Sequence, residues 1–118
     1  MNDLFGGVAF RALHQGLNGL ALRQRTIADN LANVETPGFL AGKVDFETSL
    51  RDAVMAGEDP LATSVAKARS LEPTRTNGSN VNLDEESLAS MQTLMTIQLA
   101  TQALTGKFQT LRTAISGQ

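Results

Sequence analysis

The sequence predicts an all-α fold in which two long terminal helices pair as a coiled-coil-like hairpin. Two observations predict the helices: apolar residues recur four and three apart near the N-terminus, and again near the C-terminus. A third observation, a Pro-Gly pair directly after the first pattern, predicts an abrupt stop. The segment that connects the helices is mostly irregular and holds one short helix. The whole chain, residues 1–118, is expected to form a single domain.

The N-terminal helix is predicted over residues 8–34. At its end, Pro37 disfavours helical geometry in the residue before it, and Gly38 permits the positive φ of a Pro-Gly turn. Gly16 and Gly19 weaken an isolated helix by about 1 kcal/mol each, but they allow a neighbouring backbone to come close. One stripe of this helix carries the apolar residues that are expected to pack: Leu13, Leu17, Leu20, Ile27 and Leu31.

The connecting segment, residues 35–81, has the weakest pattern of the chain. Within it, residues 45–55 are predicted to form a short amphipathic helix with Asp45 as its N-cap. Asn77-Gly78 is a favourable turn pair, but its flanks alternate poorly between apolar and polar residues, which disfavours a β-hairpin. No convincing strand is predicted. So long a loop in a small domain indicates either a functional role or disorder.

The C-terminal helix is predicted over residues 82–116, with Gly117 ending it. Asn82 followed by Glu85 three residues later resembles a capping box. The acidic residues 84–86 are favourable at the positive end of the helix dipole, and this accounts for all three of them.

The apolar stripe of the C-terminal helix also steps by four and three residues. Met91 and Met95 lie beside it and are expected to widen it. A buried Leu or Phe gains roughly 1.5–3 kcal/mol over an exposed one, so the stripe should pack against the first helix or against other copies of the chain. The residues expected to make these contacts are Leu94, Ile97, Leu104, Phe108, Leu111 and Ile115.

Composition argues against several classes of protein. Five Phe residues, with neither Trp nor Tyr, make a thick aromatic core doubtful. A net charge of −2 gives no support for nucleic-acid binding, and Arg11, Arg23 and Arg25 are interpreted as the solvated side of the first helix. Cysteine is absent, and no apolar run approaches the roughly 20 residues that span a bilayer. Residues 1–7 are expected to form a short lead, since the Gly6-Gly7 pair argues against helix, and residues 1–8 lack the basic and apolar regions of a signal peptide.

Residues that could perform catalysis are scarce. The single histidine, His14, has no carboxylate at helical spacing and is interpreted as a surface or interface residue. The serines and threonines of the second helix have no histidine to activate them, and no glycine-rich loop follows a strand. The sequence therefore predicts no catalytic, cofactor-binding or metal-binding residue, and an enzyme is not expected.

The segment from Asn30 to Phe39, Asn-Leu-Ala-Asn-Val-Glu-Thr-Pro-Gly-Phe, resembles the signature that ends the first helix in bacterial flagellar rod and hook proteins. Residues 80–86 look like the segment that opens their C-terminal helix. The short chain and the Asp-Phe-Glu at 45–47 are similar to the proximal rod proteins. By this resemblance, Asn33, Thr36, Pro37 and Gly38 would form the turn that leaves the tube wall. The family-motif turn as a whole comprises Asn30, Asn33, Thr36, Pro37, Gly38 and Phe39.

The resemblance implies a structural subunit of the proximal rod in the periplasm, exported through the flagellar type III apparatus without signal cleavage. The terminal helices would pack into the wall of a hollow shaft that transmits torque for motility. Implied partners are copies of itself, rod proteins of the FlgC, FlgF and FlgG type, the rod-base adaptor FliE, the export gate and the membrane ring. Neither nucleic acid nor a small-molecule substrate is expected.

Ordering the backbone costs roughly 1–2 kcal/mol per residue, and the two apolar stripes are thin. The free subunit is therefore expected to be partly disordered, with folding completed on assembly. A second class of function remains open, because a soluble helical adaptor or secretion chaperone could use the same stripes to bind a partner helix.

Overall fold

A computed structural model describes residues 7–117. This part of the chain contains three helices: α1 at Val8–Ala32, α2 at Glu47–Met55 and α3 at Leu83–Ser116. Two short strands, β1 at Gly42–Val44 and β2 at Lys67–Arg69, and a 3-10 turn at Pro60–Ala62 lie between α1 and α3. The prediction of two long terminal helices is confirmed. The predicted N-terminal lead falls outside the described residues except for its last glycine.

The terminal helices lie side by side in opposite directions. Near the end of α1, Asn30 contacts Glu86 at the start of α3. Further back along α1, Gln24 contacts Ser90, and Ile97 packs against the cluster that contains Leu20. In these contacts the residue numbers of α3 increase as those of α1 decrease, so the two helices are antiparallel, as in a hairpin.

The buried line of α3 differs from the predicted one. Glu86 and Thr93 are buried, and Ile97, Leu104 and Leu111 are half-buried on the same side. Other members of the predicted stripe are exposed, among them Leu94, Phe108 and Ile115. Met91 and Met95, which were expected to widen the packed stripe, are exposed and do not pack on α1.

The fold is not strictly all-α, because β1 and β2 pair as a two-stranded antiparallel sheet. Gly42 lies opposite Arg69, and Val44 lies opposite Lys67. Each strand has only three residues, which is too short for an alternating pattern to stand out in a sequence. The Asn77-Gly78 turn closes locally, with the Gly78 N–H donating to the Arg75 carbonyl (2.8 Å). No strand is assigned on either flank of this turn.

The core lies on the side of α1 that faces the sheet and α2. Leu20, Val44 and Phe46 are buried together, and partly buried side chains pack around them: Leu22, Leu50, Val65 and Ile97. The Phe46 ring lies directly against the backbone of Gly19. The close approach expected at this glycine is therefore made by an aromatic ring of the same chain, not by the backbone of a neighbour.

The ends of the helices follow the predictions in part. The Asn82 side chain accepts from the backbone N–H groups of Asp84 (3.1 Å) and Glu85 (3.2 Å), which confirms it as the N-cap of α3. Gly117 follows α3 in the left-handed conformation that ends many helices. The prediction of Asp45 as N-cap of α2 is wrong: Phe46 occupies that position and makes no side-chain cap.

Candidate assembly site

The signature segment forms a tight turn directly after α1, which ends two residues before the predicted position. The Asn33 side chain donates to the Asp29 carbonyl (2.8 Å), which also accepts from the Asn33 backbone N–H (3.2 Å). The Thr36 hydroxyl donates to the Asn33 amide oxygen (3.1 Å), and the Thr36 N–H donates to the Asn33 carbonyl (3.0 Å). Pro37 is exposed, and Gly38 has the positive φ of +73° expected after it.

This turn docks onto a second turn of the same chain. The Gly38 N–H donates to the Asn77 carbonyl (2.8 Å). A Cβ atom added to Gly78 would lie 3.2 Å from the Gly38 Cα atom, so the two glycine backbones are nearly in contact. The Arg75 guanidinium donates to the Val34 carbonyl and fastens the second turn to the end of α1.

The residues after the turn are held by Asn80. Its N–H donates to the Phe39 carbonyl (3.2 Å), and its side-chain oxygen accepts from the Ala41 N–H (2.6 Å). Its amide nitrogen donates to the Ser70 carbonyl (3.3 Å). The Arg69 guanidinium lies 6.0 Å from the Phe39 ring centre, within range of a cation–π contact. Asn80, which the sequence placed only in the segment that opens the C-terminal helix, therefore joins both ends of the connecting segment.

Asn30 does not belong to the turn, in contrast to the prediction. It lies inside α1 and is only 1% exposed. Its amide nitrogen donates to the Gly42 carbonyl (3.0 Å) and to the Glu86 carboxylate (3.0 Å), while its oxygen accepts from the Gly42 N–H (2.8 Å). Asn30 thus joins α1 to β1 and to α3.

Glu86 was interpreted as one of three residues favoured by the helix dipole, and that interpretation is incomplete. Its side chain is buried, and the residue as a whole is 4% exposed. The Lys43 ammonium lies 3.8 Å from one carboxylate oxygen, and Asn30 donates to the other. Burial of a carboxylate is tolerated here because both oxygens face a donor or a positive charge.

Two arginines of α1 bind the connecting segment, so the interpretation of them as a solvated face is wrong. Arg23 donates to the Glu47 carboxylate (2.8 Å) and to the Val44 carbonyl (2.7 Å). Arg11 forms a bidentate pair with Asp59, with contacts of 2.8 and 2.6 Å. In each pair, the hydrogen bond from the arginine is the main cause of a lowered pKa of the carboxyl group. Arg25 remains exposed.

The Glu47 contact predicts a small dependence of stability on pH. Because its folded-state pKa lies below the usual value of 4.5, its contribution is present above pH 4.5 and is lost as the pH falls through the lowered pKa. Glu47→Gln should lower the free energy of unfolding by less than about 1 kcal/mol at pH 7, since the Glu47 side chain is 54% exposed. The difference should be smaller at pH 3 than at pH 7. Urea unfolding at both pH values measures it, with the exposed Glu58→Gln as control; an equal loss at both would contradict it.

The outer side of α3 carries an apolar line that faces away from α1. We call Leu88, Met91, Met95 and Leu99 the outer stripe. Steps of three and four residues place them on one side of the helix, about half a turn from Glu86 and Thr93. They are 56–67% exposed. Over the first half of α3 this apolar stripe therefore lies opposite the buried Glu86 and Thr93, and its own chain leaves it uncovered.

The predicted packing residues of α1 occupy several environments. Leu20 and Ile27 are buried, whereas Leu13, Leu17 and Leu31 are half-buried. Their roles in assembly stay a prediction. Within residues 7–117, no group of three or more His, Asp or Glu side chains is placed to hold a metal ion. None of the described helices is long and apolar enough to cross a membrane.

Comparison with known proteins identifies the family. A family model described as flagella basal body rod protein matches residues 10–39, which cover most of α1 and the signature turn. The flagellar basal body rod protein FlgB of Borreliella burgdorferi is 31% identical over 133 residues, covering 94% of this chain and 96% of the relative. The chain belongs to the FlgB family.

Other FlgB proteins agree with this assignment. FlgB of Bacillus subtilis is 27% identical over 129 residues, covering 98% of both proteins. FlgB of Escherichia coli is 42% identical over 57 residues, covering 48% of this chain and 40% of the relative. Among the proximal rod proteins, the sequence favoured FlgB with FlgC as the main competitor, and the choice of FlgB is confirmed.

Proposed function

We propose that this chain is a structural subunit of the proximal rod of the flagellar basal body and that it acts in motility as part of the hollow drive shaft. The observation that carries the proposal is the similarity to FlgB of Borreliella burgdorferi along nearly the whole length of both proteins. The outer stripe of α3 supports it, because a rod subunit needs apolar surface that its own chain leaves uncovered.

Assembly would use the two apolar sides of α3 for different partners. The inner side packs on α1 of the same chain, and the outer stripe packs on copies of this chain or on rod proteins of the FlgC, FlgF and FlgG type. Burying four Leu or Met side chains gains at most roughly 6–12 kcal/mol. Association costs about 4–15 kcal/mol, so one such contact is marginal. A subunit would be held by several neighbours at once, which favours a closed tube over a free dimer.

Export through the flagellar type III apparatus into the periplasm is part of the same proposal, with FliE, the export gate and the membrane ring as neighbours at the rod base. Among residues 94–117, no side chain of α3 is fully buried. The distal half of α3 would therefore fray in the free subunit and become ordered only beside its neighbours. A chain with a loosely held end suits passage through a narrow channel.

Fractionation of cells tests the proposal against the soluble adaptor. A tagged copy that restores swimming to a strain lacking the gene should co-purify with basal bodies, because a rod subunit is part of that structure. An adaptor would remain in the soluble cytoplasmic fraction. Recovery of the tagged chain only in the cytosol, or normal swimming of the strain without the gene, would contradict the rod function.

A further inference from the structure

Apolar packing alone fixes the register of the helix pair poorly. The inner line of α3 repeats in steps of three and four, as the stripe of α1 does, so a shift of seven residues restores a similar pattern. Such a shift would bring Leu104 to the level of Leu20, where Ile97 now packs. One large aliphatic side chain would replace another there at little cost. A second kind of contact must therefore select the observed register.

The contact between Asn30 and Glu86 has the properties required. Both side chains are buried, and both amide hydrogens of Asn30 are used, one by the Gly42 carbonyl and one by Glu86. In a register shifted by seven residues, Thr93 would face Asn30. Its hydroxyl already donates to the Ala89 carbonyl (2.7 Å) and is too short to replace a carboxylate.

The same shift would leave Glu86 without its donor. It would move to the level of Pro37, beyond the end of α1. Near that level the cation is Arg75, but its guanidinium already donates to the Val34 carbonyl and lies 3.7 Å from a Glu35 carboxylate oxygen. A buried polar group that finds its partner in only one alignment selects that alignment.

We infer that the Asn30–Glu86 hydrogen bond is the register pin of the α1–α3 hairpin. Its role is positional, because it fixes where the outer stripe of α3 lies along the helix axis relative to α1. Asn30 is also bonded to both backbone groups of Gly42. These bonds to β1 hold the Asn30 side chain in the orientation that meets Glu86. Gln24 and Ser90 meet in the same register (3.0 Å), but the Gln24 oxygen is buried without a partner, so that contact is the weaker one.

Disulfide trapping tests the pin, because the chain has no cysteine and any disulfide must join the introduced residues. Gln24→Cys with Ser90→Cys reports the observed register. Gln24→Cys with Ile97→Cys reports a shift of seven residues. The first pair should close in the otherwise unchanged full-length chain, and the second should not. Far-UV circular dichroism of each sample monitors helicity.

Asn30→Asp should lower the ratio of the first disulfide to the second by at least about tenfold. The change keeps the shape of the side chain but removes both donors and places a carboxylate beside Glu86, and a hydrogen bond to a charged group accounts for a factor of this size. Glu86→Gln is the matched control. Its amide oxygen can still accept from Asn30, so the ratio should change less.

Glu86→Leu provides a second route if Asn30→Asp loses helicity. This variant keeps the bonds between Asn30 and Gly42 and removes the contacts of Glu86 with Asn30 and Lys43, so it should shift the same ratio with the helices intact. An unchanged ratio in Glu86→Leu would overturn the inference. The inference would also be overturned if neither cysteine pair formed a disulfide in the chain that retains Asn30 and Glu86. Neither result depends on rod assembly, and a failure to co-purify with basal bodies would leave the pin unaffected.

Discussion

Met95→Asp is expected to abolish swimming and rod formation while the purified chain remains folded. Met95 is 63% exposed in the outer stripe, so a carboxylate there stays in water and costs the free subunit little. Against a neighbouring subunit the same carboxylate would be buried without a partner, at a cost of several kcal/mol. That penalty is of the same order as the gain from burying the whole stripe.

Complementation of a strain that lacks the gene measures this effect. Motility in soft agar and the yield of basal bodies report assembly, and an immunoblot confirms that the variant is expressed. Thr101→Asp is the matched control. Thr101 is also exposed but lies about 120° around α3 from Met95. Normal swimming with Met95→Asp would exclude the outer stripe as an assembly surface. Loss of swimming with both variants would instead indicate an interface that continues around the helix.

The sequence was sufficient to predict the two long helices, because the signals for them are local. Asn82 caps α3 through backbone groups two and three residues away, and Gly117 ends it. The packed side of α3 was harder to predict. Several lines of three-and-four steps can be drawn along a helix with apolar residues on two opposite sides, and the predicted and observed lines share Ile97, Leu104 and Leu111. The observed line includes the polar Glu86 and Thr93, which an apolar pattern does not select.

The contacts that join distant parts of the chain were not predicted. Asn30 was recognised as part of a signature, but its partners Gly42 and Glu86 lie 12 and 56 residues away. Arg23 binds Glu47 across 24 residues. Such pairs have no period or spacing in the sequence, because they depend on how the connecting segment folds back over α1. Polar residues on a helix therefore cannot be assigned to solvent from their position alone.

Gly19→Ala is expected to destabilise the protein, although alanine is the better helix former. A Cβ atom at this position would lie 2.5 Å from two carbons of the Phe46 ring and 2.7 Å from a third. The ring is itself buried in the core with Leu20 and Val44, and the Arg23 guanidinium lies 5.0 Å from its centre. It therefore has little room to move, and such overpacking typically costs about 1–3 kcal/mol. This exceeds the gain in helix propensity of at most about 1 kcal/mol.

Gly16→Ala is the matched control, because it lies in the same helix one turn earlier. The nearest atom to its added Cβ is a Leu50 methyl carbon at 3.9 Å, an ordinary contact. Both variants gain the same helix propensity, so the difference between their free energies of unfolding in urea isolates the clash, at about 1–3 kcal/mol. If Gly19→Ala were as stable as Gly16→Ala, the Phe46 ring would not lie on α1 as described. The space at Gly19 would then be open to a neighbouring backbone, as the sequence predicts.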